Sequence, residues 1–150
     1  MKKIIATLLT FIIFTSCGYT PIYSNKNFDF KLKNIISSKD NQLNSNVEKK
    51  LLVFSNQESQ KIISLKIDVQ RKINILTKDS KGDPSRYEMI IDIKLETSYR
   101  QNQNINQSFK ERFNYNSNVN KFELNQYEKE TEDLLIDKNI DRIIIYLSKI

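Results

Sequence analysis

Between residues 61 and 115 the apolar side chains of this chain fall on every second position over long runs, and that pattern sets what the chain can become. Ile63, Leu65, Ile67 and Val69, then Ile73 and Ile75, share one parity. Further on, Tyr87, Met89, Ile91, Ile93, Leu95 and Tyr99 take one side, with Glu88, Asp92, Lys94, Glu96 and Arg100 on the other. Successive side chains of a strand point to opposite faces, so these runs predict long strands of a sheet covered on one side only. Arg71 intrudes in phase on the first run. A bulge or a place near the sheet rim is its ordinary reading, a functional charge the other. The stretch from Lys78 to Ser85, with Gly82 and Pro84, is dense in turn formers and reads as a hairpin loop. Gln101 to Asn104 is a polar turn, and Ile105, Phe109, Phe113 and Tyr115 form a fourth strand, less regular because Gln107 and Glu111 share its parity. Three strands in series with short connections make an antiparallel meander.

The flanking segments supply what covers that sheet. Phe28, Phe30 and Leu32 alternate with Asp29, Lys31 and Lys33, predicting a first strand over about 28–36. Asp40 stands as a candidate N-cap before a helix over 41–55, whose Leu43, Val47, Leu51, Leu52 and Phe54 share a face. At the other end, Asn120 and Glu123 have the spacing of a capping box. Leu124, Tyr127, Leu134, Leu135, Ile143, Ile144 and Leu147 then recur at helical spacing, predicting a helix over 121–148. The run Ile143 to Ile145 is apolar beyond one face, from ordinary core packing or from contact with a partner. The order is β-α-β-β-β-α, an α+β fold: a largely antiparallel sheet of about four strands with two helices on one face, in a single domain over 28–150.

Residue usage narrows the function. There is no His and only one Cys, which removes most metal centres and the usual neutral-pH base, so neither a metal nor an enzymatic activity is expected. Glu128 and Glu132, or Asp133 and Asp137, lie one helical turn apart, but carboxylates at that spacing on an exposed helix are ordinarily solvated. Gly18 and Gly82 are the only glycines and are far apart, so no Gly-rich phosphate loop exists. The net charge of +6 comes without an aromatic-basic motif, which argues against nucleic acid as a partner.

The N-terminus adds an address. Lys2 and Lys3 precede the apolar run Ile4 to Phe14, and small Thr15 and Ser16 follow, the layout of a secretory signal over 1–16. As a helix the run would be roughly 16 Å long, too short to cross a hydrocarbon core of about 30 Å. The lone cysteine, Cys17, follows Ser16 directly, and the arrangement resembles a bacterial lipobox, with Phe14 where Leu is usual. That resemblance implies cleavage between Ser16 and Cys17, with a diacylglycerol and an N-acyl chain such as palmitate carried covalently on Cys17 and no other cofactor. Two or more acyl chains give stable anchoring. Gly18 after the cysteine, by resemblance to the lipoprotein sorting rule, favours the outer membrane, leaving residues 17–27 as a lipidated tether facing the periplasm.

Cys17-Gly18-Tyr19-Thr20-Pro21-Ile22-Tyr23 resembles the CGF-x-PLY start of LPS-assembly lipoproteins of the LptE family, in its alphaproteobacterial branch. Tyr87-Glu88-Met89 opening an alternating strand, Phe113-Asn114-Tyr115 closing the next and Tyr127 opening a Glu-rich helix are similar too. The resemblance implies two helices on a four-stranded sheet. It also implies a lipoprotein that plugs and helps assemble the LptD-type outer-membrane β-barrel and assists delivery of lipopolysaccharide to the outer leaflet.

The charges suit such partners. Residues 17–121 hold 18 basic and 11 acidic side chains, residues 122–150 only 4 basic and 7 acidic. Arg86 and Lys94, opposite in phase to Tyr87 and Leu95, together with Lys110 and Arg112 on the next strand, are candidates for a basic sheet face. Such a face would meet lipopolysaccharide phosphates or a barrel wall, or else be solvated surface. The competing readings are an adaptor lipoprotein of another envelope lipid-transport complex and, less favoured, a lipid-modifying or murein-cleaving lipoprotein.

Overall fold

The computed structural model describes residues 28–37, 41–98 and 104–150. The signal over 1–16, the tether over 17–27 with Cys17, the Asp40 cap, Tyr99, Arg100 and turn residues 101–103 lie outside the described residues. The elements are β1 (Lys31–Ser37), α1 (Gln42–Leu52), β2 (Ile62–Lys78), β3 (Pro84–Ser98), β4 (Asn104–Asn116) and α2 (Lys121–Lys149). They form one four-stranded sheet in the order β1-β2-β3-β4, parallel between β1 and β2 and antiparallel elsewhere. The β-α-β-β-β-α order expected from the periodicity is the observed one.

The period-two faces are buried as their parity demands except at the far end of β2, where Ile73 and Ile75 share the parity but are 37% and 51% exposed. Ile63, Leu65, Ile67 and Val69 of β2 and Met89, Ile91, Ile93 and Leu95 of β3 all lie under the two helices. Val47 and Leu51 cover them from α1, and Leu135, Ile136, Ile140, Ile143, Ile144 and Leu147 from α2. Each such side chain contributes about 1.5–3 kcal/mol on leaving water. The hairpin between β2 and β3 closes as the turn formers predict: Asp79 Oδ1 accepts the N–H groups of Lys81 and Asp83 at 2.8 and 2.9 Å. Gly82 takes φ +88°, which a side chain there would strain.

Several details differ from the expectation. β1 starts at Lys31 rather than near 28, although Phe28 and Phe30 still pack, Phe28 against Phe54 with ring centroids 5.6 Å apart. Asn34 adopts φ 56°, a left-handed conformation that Asn tolerates better than most residues, and the register shifts between Leu32 and Ile35. The extra residue turns Ile35 toward the core and leaves Ile36 59% exposed, reversing the parity of the strand's end. Asn41, not Asp40, caps α1, its side chain accepting the N–H of Asn44 at 2.9 Å. α1 ends at Leu52 rather than 55.

Four polar side chains are buried, Asn44, Thr97, Thr131 and Asn139, and the two asparagines run against the expected apolar faces. Asn44, 1% exposed, accepts the N–H of Val69 at 2.8 Å. β1 stops pairing at Ser37 opposite Ile67, so the Asn44 amide takes over the next edge-facing N–H of β2 where the neighbouring strand has ended. Asn139, fully buried in α2, donates to the carbonyl of Ile91 at 3.3 Å. In α2 the capping pair works partly through side chains: Asn120 Oδ1 accepts from the N–H of Phe122 at 3.0 Å, while Glu123 accepts from Asn120 Nδ2 at 2.9 Å. Ile136 and Ile140 join the buried stripe, whereas Leu134 and Ile145 are about half exposed.

Candidate functional site

Both helices lie on the odd-numbered side of the meander, so the even-numbered side chains of β2, β3 and β4 form a face without a helical cover. The four candidate basic residues all lie on it. Lys94 stands between Asp68 of β2 and Ser108 of β4, and Arg86 lies opposite Asn116. Lys110 is paired with Asp92 at 3.1 Å and Arg112 with Glu88 at 3.7 Å. Lys66 pairs likewise with Glu96 at 3.4 Å. Among the described residues neither Arg86 nor Lys94 makes an ion pair.

The expectation of a basic face therefore needs correction in degree. Lys66, Lys72, Arg86, Lys94, Lys110 and Arg112 share the face with Asp68, Glu88, Asp92 and Glu96. It is a checkerboard with a modest positive excess. Cross-strand neighbours sit about 4.5–5.5 Å apart at Cβ, so opposite charges at matched register pair in place. Burial alone would raise the Asp92 carboxyl, but the Ser108 hydroxyl at 2.6 Å and the ammonium groups of Lys110 and Lys94 outweigh it and hold that carboxyl below its ordinary range. A groove of about 360 Å³ runs along this face past Lys66, Asp68, Lys94, Glu96, Asn106 and Ser108. Asp68 Oδ2 accepts from Gln70 at 2.8 Å while its buried Oδ1 has no hydrogen-bond partner among the described residues. Among the described residues Lys72, Arg86 and Lys94 are the cations on this face without an ion pair, and Arg86 and Lys94 of the expected set keep donors suited to phosphate or carboxylate oxygens.

Arg71 answers differently from its sequence reading. The β2–β3 register runs unbroken through Arg71 opposite Ile91, and the irregularity lies at Ile75 to Lys78 instead. On the helix side the Arg71 guanidinium meets Glu128 at 2.9 Å and Glu132 at 3.2 Å. Those carboxylates, expected to be solvated, are only 16% and 18% exposed. Tyr115 donates to Glu128 at 2.7 Å and stacks on Tyr87 with centroids 5.4 Å apart. Burial first, then the Glu128 carboxylate, push the Tyr115 phenol far above its ordinary value. Burial also raises the Glu132 carboxyl, against the pull of Arg71. The cluster clamps the first half of α2 onto the sheet. Asp133 and Asp137 are likewise occupied, by Lys50 of α1.

Among the described residues no group of His, Cys, Asp and Glu side chains is arranged to hold a metal ion, and no helix is long and apolar enough to cross a membrane. The lipidation position Cys17 and its cleavage partner Ser16 lie outside the described residues.

No family profile and no curated protein matches the sequence. Solved structures do match the fold. Rare lipoprotein B from Shewanella oneidensis superposes with a TM-score of 0.59 at 15% identity, over 80% of this chain and 93% of its own. A minor lipoprotein from Acinetobacter baumannii gives 0.56 at 14% identity, over 81% and 92%. An uncharacterized lipoprotein B from Nitrosomonas europaea gives 0.55 at 13%, over 81% and 83%. The chain thus shares the fold of these lipoproteins over about 80% of its length.

Proposed function

We propose that this chain is an outer-membrane lipoprotein, anchored through acyl chains on Cys17, that plugs and helps assemble the lipopolysaccharide-export β-barrel and assists delivery of lipopolysaccharide to the outer leaflet. The observation that carries the reading is that a chain with a lone cysteine directly after a signal-like segment has the fold of several bacterial lipoproteins over nearly their full length. The Cys17 to Tyr23 resemblance to the LptE family names the barrel and its cargo.

The helix-free face supports this role physically. A barrel lumen is polar, and a polar sheet face of mixed charge suits contact with such a wall. Arg86 and Lys94, without ion-pair partners among the described residues, are the residues to offer lipopolysaccharide phosphates. No bond is made or broken in such a task; the chain works by occupying space and presenting charge.

Depletion tests the reading. Loss of the chain is expected to lower both the folded barrel and the lipopolysaccharide that reaches the outer leaflet. Normal surface lipopolysaccharide with a defect in another envelope lipid would instead support the alternative, an adaptor of another envelope lipid-transport complex.

A further inference from the structure

The two helices do not cover the sheet to its end. α1 starts at Gln42 and its Asn44 already lies at Val69, so the stretch of β2 past Arg71 has no part of α1 over it. Ile73 and Ile75, in phase with the core, are therefore left partly in water. Leu76, the extra residue where the β2–β3 register shifts, is half exposed as well. α2 begins at this same end: its Tyr127 packs on Tyr115, which with Tyr87 lies in one row with Ile75. Its first turn carries Phe122, 76% exposed, and Val119 just before it is fully exposed. Single exposed apolar residues are ordinary, whereas a cluster at one end of a domain marks a contact surface.

Cations ring this cluster. Lys78 and Lys81 stand at the hairpin, Arg86 near the start of β3 and Lys121 at the start of α2, all of them exposed and none in an ion pair among the described residues. They outnumber the nearby Asp79, Asp83 and Glu123, and two of those carboxylates are engaged within the fold. Asp79 accepts the N–H groups of Lys81 and Asp83, and Glu123 accepts from Asn118 and Asn120. Exposed apolar side chains set among lysine and arginine suit the boundary of a membrane, where the apolar groups enter between headgroups and acyl chains and the cations meet lipid phosphates. A barrel lumen is polar and suits the helix-free face, not this end.

We propose that the hairpin end of the domain, with Ile75, Leu76 and Phe122 among Lys78, Lys81, Arg86 and Lys121, docks on an anionic lipid surface and sinks its apolar side chains into the headgroup layer. The chain length before the domain bears on how it docks. β1 starts beside Ile62, and from there to Ile75 β2 runs about 43 Å at about 3.3 Å per residue. Residues 17–27 span at most about 40 Å when fully extended. A chain anchored at Cys17 therefore brings this end to its own leaflet only with β2 leaning by roughly 20° or more from the membrane normal. The inference rests on the lipid anchor for bringing the domain to a membrane, and not on the barrel.

The test reconstitutes the full chain, carrying Leu76→Cys labelled with a polarity-sensitive nitrobenzoxadiazole dye, into vesicles of phosphatidylethanolamine with phosphatidylglycerol or of phosphatidylcholine alone. Emission is expected to shift to the blue and to be quenched by a spin-labelled lipid in the anionic vesicles, and to stay aqueous in phosphatidylcholine and in 1 M salt, where the Debye length is about 3 Å. A dye at Phe122→Cys should behave alike and keeps the test independent of the hairpin's own folding. A dye at Leu134→Cys, as exposed in the native chain as Leu76 but flanked by Asp133 and Asp137, should stay aqueous throughout. Lys78→Gln with Lys81→Gln should lower the ratio of inserted to free ends about 25-fold, about fivefold per lysine. Aqueous emission at positions 76 and 122 in anionic vesicles overturns the proposal, as does a blue shift at position 134 to match. A blue shift that persists in detergent, or that ignores lipid charge and salt, overturns it in favour of contact with a second copy or another protein. Dye taken up by the chain without an added cysteine would show Cys17 free and refute the anchor; the hairpin end is then read on vesicles in a Cys17→Ser background, with the same outcomes deciding.

Discussion

Replacing Arg71 with Met keeps most of the side-chain volume and removes the guanidinium that bridges Glu128 and Glu132. Both carboxylates are then left beside each other at 16% and 18% exposure, with only the Tyr115 hydroxyl still donating to Glu128. Solvent-exposed pairs are worth about 0.2–1 kcal/mol each, and breaking a fully buried pair costs about 3–5 kcal/mol. With the arginine a third exposed, this site falls between those limits, at about 1–2.5 kcal/mol. With a urea slope of about 2 kcal/mol/M, the unfolding midpoint should drop by about 0.5–1.2 M at pH 7. The Glu132 carboxyl has a raised value in the fold, so its charged form is disfavoured there and its contribution to stability grows as pH falls toward its unfolded value. Protonating it removes one of the two stranded charges, so the gap between wild type and variant should narrow in acid. Urea titrations at pH 7 and in mild acid measure both effects. Equal midpoints at pH 7, or a gap that widens in acid, would refute the clamp.

Three further outcomes are expected. Asn44→Ala strands the buried Val69 N–H and should cost about 1–3 kcal/mol, read from urea midpoints; a loss below a few tenths would show that water serves the edge equally well. Asp92→Asn removes a carboxylate held below its ordinary range, whose stabilisation is present above the unfolded value and lost as pH falls through the native one. The variant should therefore be weaker by about 0.5–1 kcal/mol at neutral pH and match wild type in strong acid, and a pH-independent gap would contradict the pairing with Lys110 and Ser108. Cys17→Ser should end incorporation of a palmitate analogue in metabolic labelling, an expectation overturned by a labelled mutant.

Much of the fold was legible because the buried face of a sheet writes itself into alternate residues. From Ile63 to Val69 and from Met89 to Leu95 parity alone placed every side chain correctly. What escaped was set by events that parity does not encode. The left-handed turn at Asn34 inserts one residue and reverses Ile35 and Ile36. Asn44 is polar on a helix that reads as amphipathic, and its use appears only once β1 is seen to stop short of Val69. Ile136 and Ile140 join the core and Leu134 leaves it because the buried stripe drifts around a helix of 29 residues as it crosses the sheet. The four candidate basic residues do share a face, since their parity fixes that. The pairing of two of them depends on strand register, which places Glu88 beside Arg112 and Asp92 beside Lys110. Arg71 was visible as an anomaly in phase, but its partners lie 57 and 61 residues away on a helix whose rotation no local pattern gives.

What the protein holds in its membrane decides between a barrel plug and another envelope partner. The full chain, tagged and recovered from outer membranes in mild detergent, should bring with it a large β-barrel of the lipopolysaccharide-export type at equal stoichiometry, identified by mass spectrometry. Recovery of a different envelope complex with that barrel absent would contradict the claim and leave the lipoprotein fold to serve another partner.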